Sequence, residues 1–280
     1  MELKKTKVDL KHGVIHYSYG GTGRTIVLLH GLFLSGAIWD RVIREFPENV
    51  NIIVPEFPFG SHKEPMNESA DLSPVGAAKL LADFLQALNL DDVTLVGMDF
   101  GAVVAKVATA RFGSRIERLV ITNCDALEVF PAKGFEYFAW LPRIPAAMFL
   151  LAQSMYRFSA VRGGKTSYGA FTINPIPDDI LKSFVEPMAR SKKVRRDASK
   201  MMLGIDKELT LSLPEELKKS GKKILVLWGN EDHLFTIGLA RRLVTAIGND
   251  TKLVEIDNAK MIIAFDSPIE TSKAILNFAL

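Results

Sequence analysis

Val93-Thr94-Leu95-Val96-Gly97-Met98-Asp99-Phe100-Gly101-Ala102-Val103-Val104 reads as a short apolar run, an aspartate between two glycines, and then a helix-like pattern. Gly97 and Gly101 remove Cβ atoms on either side of Asp99, as a strand-to-helix turn too sharp for ordinary residues requires. Such a nucleophile elbow lifts one side chain off the sheet beside the N-terminus of the next helix, where backbone N–H groups can hold an oxyanion. The side chain lifted here is a carboxylate. A strand, a glycine turn and a helix also occur in many α/β proteins with no chemistry at the turn, so the flanking chain has to decide.

Upstream, Val14 to Tyr19 alternates and Gly20-Gly21-Thr22-Gly23 is a turn, which predicts a hairpin into Thr25-Ile26-Val27-Leu28-Leu29. That second run is apolar almost throughout, as expected of a parallel strand buried on both faces. Ser35 is placed to cap a helix carrying Ile38, Trp39, Val42 and Phe46. A strand at Asn51 to Val54 and a helix from Ser73-Pro74 to about Leu88 precede the elbow, and a strand at Leu119 to Thr122 follows it. Strand and helix alternate with short links, the signature of a doubly wound parallel sheet. From about Leu127 to Leu213 the alternation stops: the chain is punctuated by Pro and Gly, rich in Phe, Met and Tyr, and helical in patches. So many aromatics exclude a disordered linker and predict an inserted helical cap. The sheet resumes at Lys223 to Trp228, and a strand at Thr251 to Ile256 and a helix after Ser267-Pro268 close the chain. The expected division is a core of residues 1–126 and 214–280 with a cap, or lid, at 127–213.

Composition narrows the function. Lys+Arg 35 against Asp+Glu 32 gives a net charge of +3, and the basic clusters are scattered, so no nucleic-acid partner is expected. The greasiest stretch, Phe135 to Ala152, is broken by Pro142, Arg143 and Pro145, which argues against a membrane span. MELKKTKVDL has no apolar core of the secretory kind, and the single cysteine, Cys124, forbids an internal disulfide; both fit a cytoplasmic location. Neither CxxC nor HExxH occurs, so neither metal nor cofactor is expected.

Four landmarks now stand in order: His30-Gly31 after an early buried strand, the elbow at Asp99, Trp228-Gly229 with Asp232, and a late helix opened by Asp266-Ser267-Pro268. Together they resemble the α/β-hydrolase superfamily over nearly the whole length: a mostly parallel central sheet flanked by helices, with a cap. An elbow aspartate is similar to the haloalkane dehalogenases, fluoroacetate dehalogenases and epoxide hydrolases. The stretches Phe57-Pro58-Phe59-Gly60-Ser61-His62, Ala70-Asp71-Leu72-Ser73-Pro74 and Thr122-Asn123-Cys124-Asp125 resemble a little-characterised bacterial subgroup whose elbows read GNDTGG.

The resemblance implies roles. Asp99 would be a nucleophile that attacks carbon and forms an ester, with the backbone N–H groups of Leu32 and Phe100 as the oxyanion hole. Asp232 would be the acid that orients a histidine, and its bland alternative is a loop cap. Counting back seven residues from Pro268, the family's histidine position holds Met261, preceded by Lys260. A thioether cannot activate water. His62, on a loop at the carboxyl edge of the sheet, is the candidate replacement base, against the bland reading of a loop histidine bonded to backbone. Further departures are Phe100, which offers no halide-binding side-chain N–H, and Phe33, where epoxide hydrolases carry proline. The expected pocket comprises His30 (in a structural role), Phe33, Asp125, Tyr137, Trp140, Tyr156 and Lys260. Two readings result: a hydrolase of a small apolar electrophile with an incomplete triad, or a catalytically impaired ligand-binding or sensor protein using the same pocket. Either binds a small apolar molecule, as a monomer or homodimer.

Overall fold

The computed structural model describes residues 1–144, 146–248 and 250–280; Pro145, one of the three breaks in the greasy stretch, lies outside them. An N-terminal hairpin joins β1 (Lys4–Leu10) to β2 (Gly13–Gly20). It is followed by β3 (Arg24–Leu29), β4 (Val50–Pro55), β5 (Val93–Gly97), β6 (Ile116–Thr122), β7 (Lys223–Gly229) and β8 (Lys252–Ile256). These form an eight-stranded sheet in the order β1-β2-β4-β3-β5-β6-β7-β8. From β4 to β8 the neighbours run parallel. Burial follows from position: β5 is buried at every residue, whereas β1 and β8, at the edges, keep exposed lysines.

The hairpin differs from the one expected. β2 pairs with β1 on one side and β4 on the other, not with β3. Both edges of β3 are taken by parallel partners, β4 and β5, which leaves Gly20–Gly23 as a crossing turn.

Helices cover both faces. α1 (Asp40–Arg44) follows a 3-10 turn that Ser35 caps, its Oγ accepting the Ala37 N–H at 3.3 Å. α2 (Pro74–Ala87) is capped by Ser73, whose Oγ accepts the Gly76 N–H at 3.1 Å. α3 (Asp99–Phe112) leaves the elbow and is buried along most of its length. Between β6 and β7 the expected cap region carries α4 (Ala147–Arg157), α5 (Ser159–Arg162), α6 (Asp178–Arg190) and α7 (Lys192–Leu203). α8 (Lys207–Ser220) then packs on α3 and on α9 (Ile237–Ile247), and α10 (Ile263–Asp266) and α11 (Pro268–Ala279) finish the chain.

The cap boundary expected between 213 and 214 falls inside α8. Pro214 sits within that helix, removing one backbone donor without ending it, and a fork from Arg111 onto Glu216 ties the helix to α3. α8 thus packs with α3 and α9.

Strand registers bring the site together. Leu29 pairs with Gly97, Gly97 with Ile121 and Thr122 with Leu227, so β3, β5, β6 and β7 end in one row. The chain moves from β3 outward to β4 and then back across to β5, so strand order reverses where Asp99 emerges, the usual place for a ligand crevice in an open α/β sheet.

Candidate active site

The elbow is built by close approach. A Cβ on Gly101 would lie 2.1 Å from the His30 carbonyl oxygen, and one on Gly97 would lie 2.6 Å from Ala102 Cα. Asp99 itself takes a left-handed backbone, φ +51°, with its N–H bonded to the Asn123 carbonyl at 3.0 Å. Its Oδ2 accepts the Leu32 N–H at 2.9 Å, and the Phe100 N–H also bonds the carboxylate. A Cβ on Gly31 would sit 2.4 Å from that same oxygen, so Gly31 is what lets the Leu32 loop close on Asp99. The two expected oxyanion donors thus both reach the Asp99 carboxylate.

Above the elbow lies a cavity of about 240 Å³ between the strand ends and the cap. Phe33, Phe100, Phe130, Phe135, Tyr137, Phe138 and Met155 make much of its wall, and Asp99 and Asp125 are its two carboxyl groups. Met261, counted from the sequence to the expected histidine position, lines it too and is buried.

Asp232 is beside Met261's loop but committed elsewhere. Its Oδ1 accepts the N–H groups of Leu234 and Phe235 at 2.8 and 3.1 Å, and its Oδ2 accepts the Asn123 amide at 2.8 Å. Asn123 in turn accepts the Gly229 N–H at 2.7 Å, which stitches β6 to β7. Through these bonds Asp232 caps the loop after β7.

Four expected pocket residues lie outside the cavity. His30 is fully buried, its Nδ1 donating to the Gly31 carbonyl at 2.9 Å and its Nε2 accepting the Phe57 N–H at 3.0 Å; burial lowers it to about 4, so it is a neutral brace. Lys260 donates from Nζ to the Thr172 carbonyl at 3.3 Å, which satisfies the ammonium away from Asp99 and Asp232. Trp140 is 48% exposed on the outer side of the cap. Tyr156 shares its hydroxyl with Arg190 and Glu186 on the cap surface.

His62 also lies outside the cavity. It is buried, with Nε2 at 3.2 Å from Asp197 Oδ2 on α7 and Nδ1 facing the Gly60 N–H. The loop turns its ring into the cap–core seam, because Asp197, also bonded by Arg196 and the Met66 N–H, is the buried anion there.

Two further residues shape the site. Tyr168 lines the cavity and donates its hydroxyl to the Phe33 carbonyl, locking the left-handed Phe33 turn. Lys106 is buried on α3, and its Nζ donates to the Asp125 carbonyl at 2.6 Å. A lone lysine within Val103-Val104-Ala105-Lys106-Val107-Ala108 was the available signal.

Charge in this cavity is costly. Burial pushes Asp99 up to about 6, against the pull of the Phe100 and Leu32 N–H groups, and Asp232 adds a smaller push. Asp125 is raised well above the carboxylate range, first by burial and then by the Asp99 charge beside it. Among the described residues no three His, Cys, Asp or Glu side chains are grouped to hold a metal, and no helix is long and apolar enough to cross a membrane.

The alpha/beta hydrolase fold family model matches residues 24–268. Monoacylglycerol lipase ABHD6 of Mus musculus is 25% identical over 282 residues, spanning 95% of this chain and 80% of the relative. Haloalkane dehalogenase 2 of Mycobacterium tuberculosis is 23% identical over 278 residues, spanning 96% and 92%. Among solved structures, the epoxide hydrolase CorEH without ligand superposes with a TM-score of 0.82 at 18% identity, over 99% of this chain and 98% of the other, a likeness of fold.

Proposed function

The chain belongs to the α/β-hydrolase fold family, and from that membership we propose that Asp99 is the nucleophile of an enzyme acting on a small, neutral, apolar electrophile. The observation that carries this reading is the Asp99 carboxylate, turned out of the sheet at φ +51° with Oδ2 held by the Leu32 N–H at 2.9 Å. Its other oxygen attacks carbon and forms an ester; with Asp99 at about 6, the carboxylate prevails at neutral pH and needs no base. The Leu32 and Phe100 N–H groups then face the ester carbonyl oxygen, where charge develops when water adds. An aromatic wall suits an uncharged substrate. Lipase, dehalogenase and epoxide hydrolase, the names borne by the relatives, share an electrophilic carbon, which supports the class.

Met261 takes no proton, and no histidine is among the residues lining the cavity, so an imidazole does not carry the hydrolysis of that ester. Incubation with a short-chain alkyl bromide, followed by intact-protein mass spectrometry, is expected to give an alkyl adduct that maps to Asp99 and is absent from Asp99→Ala. A panel of bromides, epoxides and activated esters yielding neither adduct nor product would sink the reading. Met261 favours one second reading, reversible ligand binding without turnover. An apolar fluorophore displaced from the cavity by substrates that leave the protein mass unchanged would select it.

A further inference from the structure

Asp125 has no part in the scheme above, yet it faces the same cavity as Asp99. It stands three residues beyond the end of β6, is 6% exposed, and its Oδ1 is buried without any hydrogen-bond partner. Lys106 does not neutralise it by a direct pair. The ammonium is spent on the Asp125 backbone carbonyl at 2.6 Å and the Cys124 thiol at 3.5 Å, which pins the strand-end loop; the Asp125 and Ala132 N–H groups help hold the carboxyl, and Oδ1 is the oxygen they leave without a partner. A buried oxygen with no partner beside a nucleophile is a position kept for something that arrives.

We infer that Asp125 is the acid–base partner of Asp99: it protonates the oxygen released when Asp99 opens an epoxide, and the carboxylate so formed activates the water that hydrolyses the resulting ester. This rests on the Asp99 reading and supplies the base that Met261 cannot.

The protons balance. Two carboxyl groups in one apolar cavity cannot both ionise cheaply, so at neutral pH the pair holds one proton, and burial together with the Asp99 charge assigns it to Asp125. Asp99 attacks a ring carbon, the carbon–oxygen bond breaks, and the oxygen takes the Asp125 proton to become a hydroxyl. Asp125, now a carboxylate, removes a proton from water as that water adds to the Asp99 carboxyl carbon, and the oxyanion is held by the Leu32 and Phe100 N–H groups. Collapse expels the diol oxygen, which takes the proton back from Asp125. Asp99 is left as the acid and returns its proton to Asp125, which restores the starting pair. Tyr168 is no substitute for the first transfer, because its proton is committed to the Phe33 carbonyl.

The scheme makes the leaving group decide turnover. An epoxide converts Asp125 into a base; an alkyl bromide leaves as bromide, takes no proton, and strands Asp125 in its protonated form. Wild-type protein is expected to turn over a short-chain terminal epoxide to diol while accumulating a persistent Asp99 adduct from the matching bromide. In Asp125→Asn the ratio of epoxide opening to bromide alkylation should fall at least 100-fold, and Asp125→Glu should recover part of it. Bromide alkylation by the same sample reports that Asp99 is still working. Epoxide hydrolysis by Asp125→Asn at the wild-type ratio overturns the acid–base role and leaves Asp99 standing, as does equally rapid wild-type turnover of the bromide ester. Adducts from neither compound overturn the Asp99 reading itself and this inference with it.

Discussion

Asp99 is held where its charge is poorly solvated, and two consequences are measurable. Alkylation needs the carboxylate, so its rate should rise about tenfold per pH unit up to about 6 and level off above. A profile flat down to the range of an ordinary aspartate would mean that the cavity is wetter than its aromatic wall implies. Stability runs the other way. Because the folded value is raised above the ordinary 3.8, the stabilising balance is fully present below that value and is lost as pH rises through about 6. Asp99→Asn keeps an acceptor for the Leu32 N–H and drops a partly buried charge, so it should stabilise the protein at neutral pH by about 1–2 kcal/mol, a gain that vanishes in acid. Urea unfolding of both proteins across that range checks it. Asp99 was legible because glycines bracket it in sequence. Asp125 was legible only as a spare acid, since nothing in Thr122-Asn123-Cys124-Asp125 says that one oxygen ends without a partner.

The elbow is an element whose geometry depends on missing atoms. Gly101→Ala would press a Cβ against the His30 carbonyl from a calculated 2.1 Å, and backbone on both sides leaves no flexible neighbour to yield. A loss of about 3 kcal/mol or more is expected, read from the urea midpoint. If the midpoint barely moves, the β5–α3 turn is less closely packed on β3 than these distances indicate. The cap helices illustrate what periodicity can and cannot yield. On α4, Met148, Ala152 and Met155 face inward while Phe149 and Leu150 stay exposed, as a helical repeat requires. Trp140 and Tyr156, expected in the pocket as aromatics of the cap, turned outward, because membership of an apolar segment does not fix which face a residue takes. Pro214 shows tertiary packing overriding a local rule: a proline ends most helices, but packing of α8 on α3 holds this one intact.

At the scale of the molecule, cap and core are joined by a polar seam beneath their apolar contact. Burial pushes Asp197 up, but hydrogen bonds from His62, Arg196 and the Met66 N–H outweigh it and hold it below the ordinary aspartate range. A lowered folded value means that this stabilisation is present above the ordinary range and lost as pH falls through it, so cap docking should loosen below about pH 4. Asp197→Ala strands three donors in a buried place and should cost about 3 kcal/mol in the same unfolding assay. His62→Ala tests the corrected assignment. With the ring in the seam and not in the cavity, it should weaken cap docking while a bromide-derived Asp99 ester forms and persists as in wild type. A selective rise in epoxide-derived ester in this variant would return His62 to the chemistry.

The sequence by itself determined the layered fold, the elbow and the aspartate at its tip, because each is encoded locally: runs of β-branched and apolar residues make buried strands, and glycines at fixed offsets make a turn that other residues cannot. It also set the expectation that Met261 stands where an imidazole is usual, since that position is counted along the chain. Only the tertiary structure decided what each polar group is spent on. His62, Lys260 and Asp232 are satisfied by partners 135, 88 and 109 residues away, whereas one oxygen of Asp125 is not satisfied at all. A side chain's availability for chemistry depends on which long-range partners reach it first, and chain spacing carries no record of that.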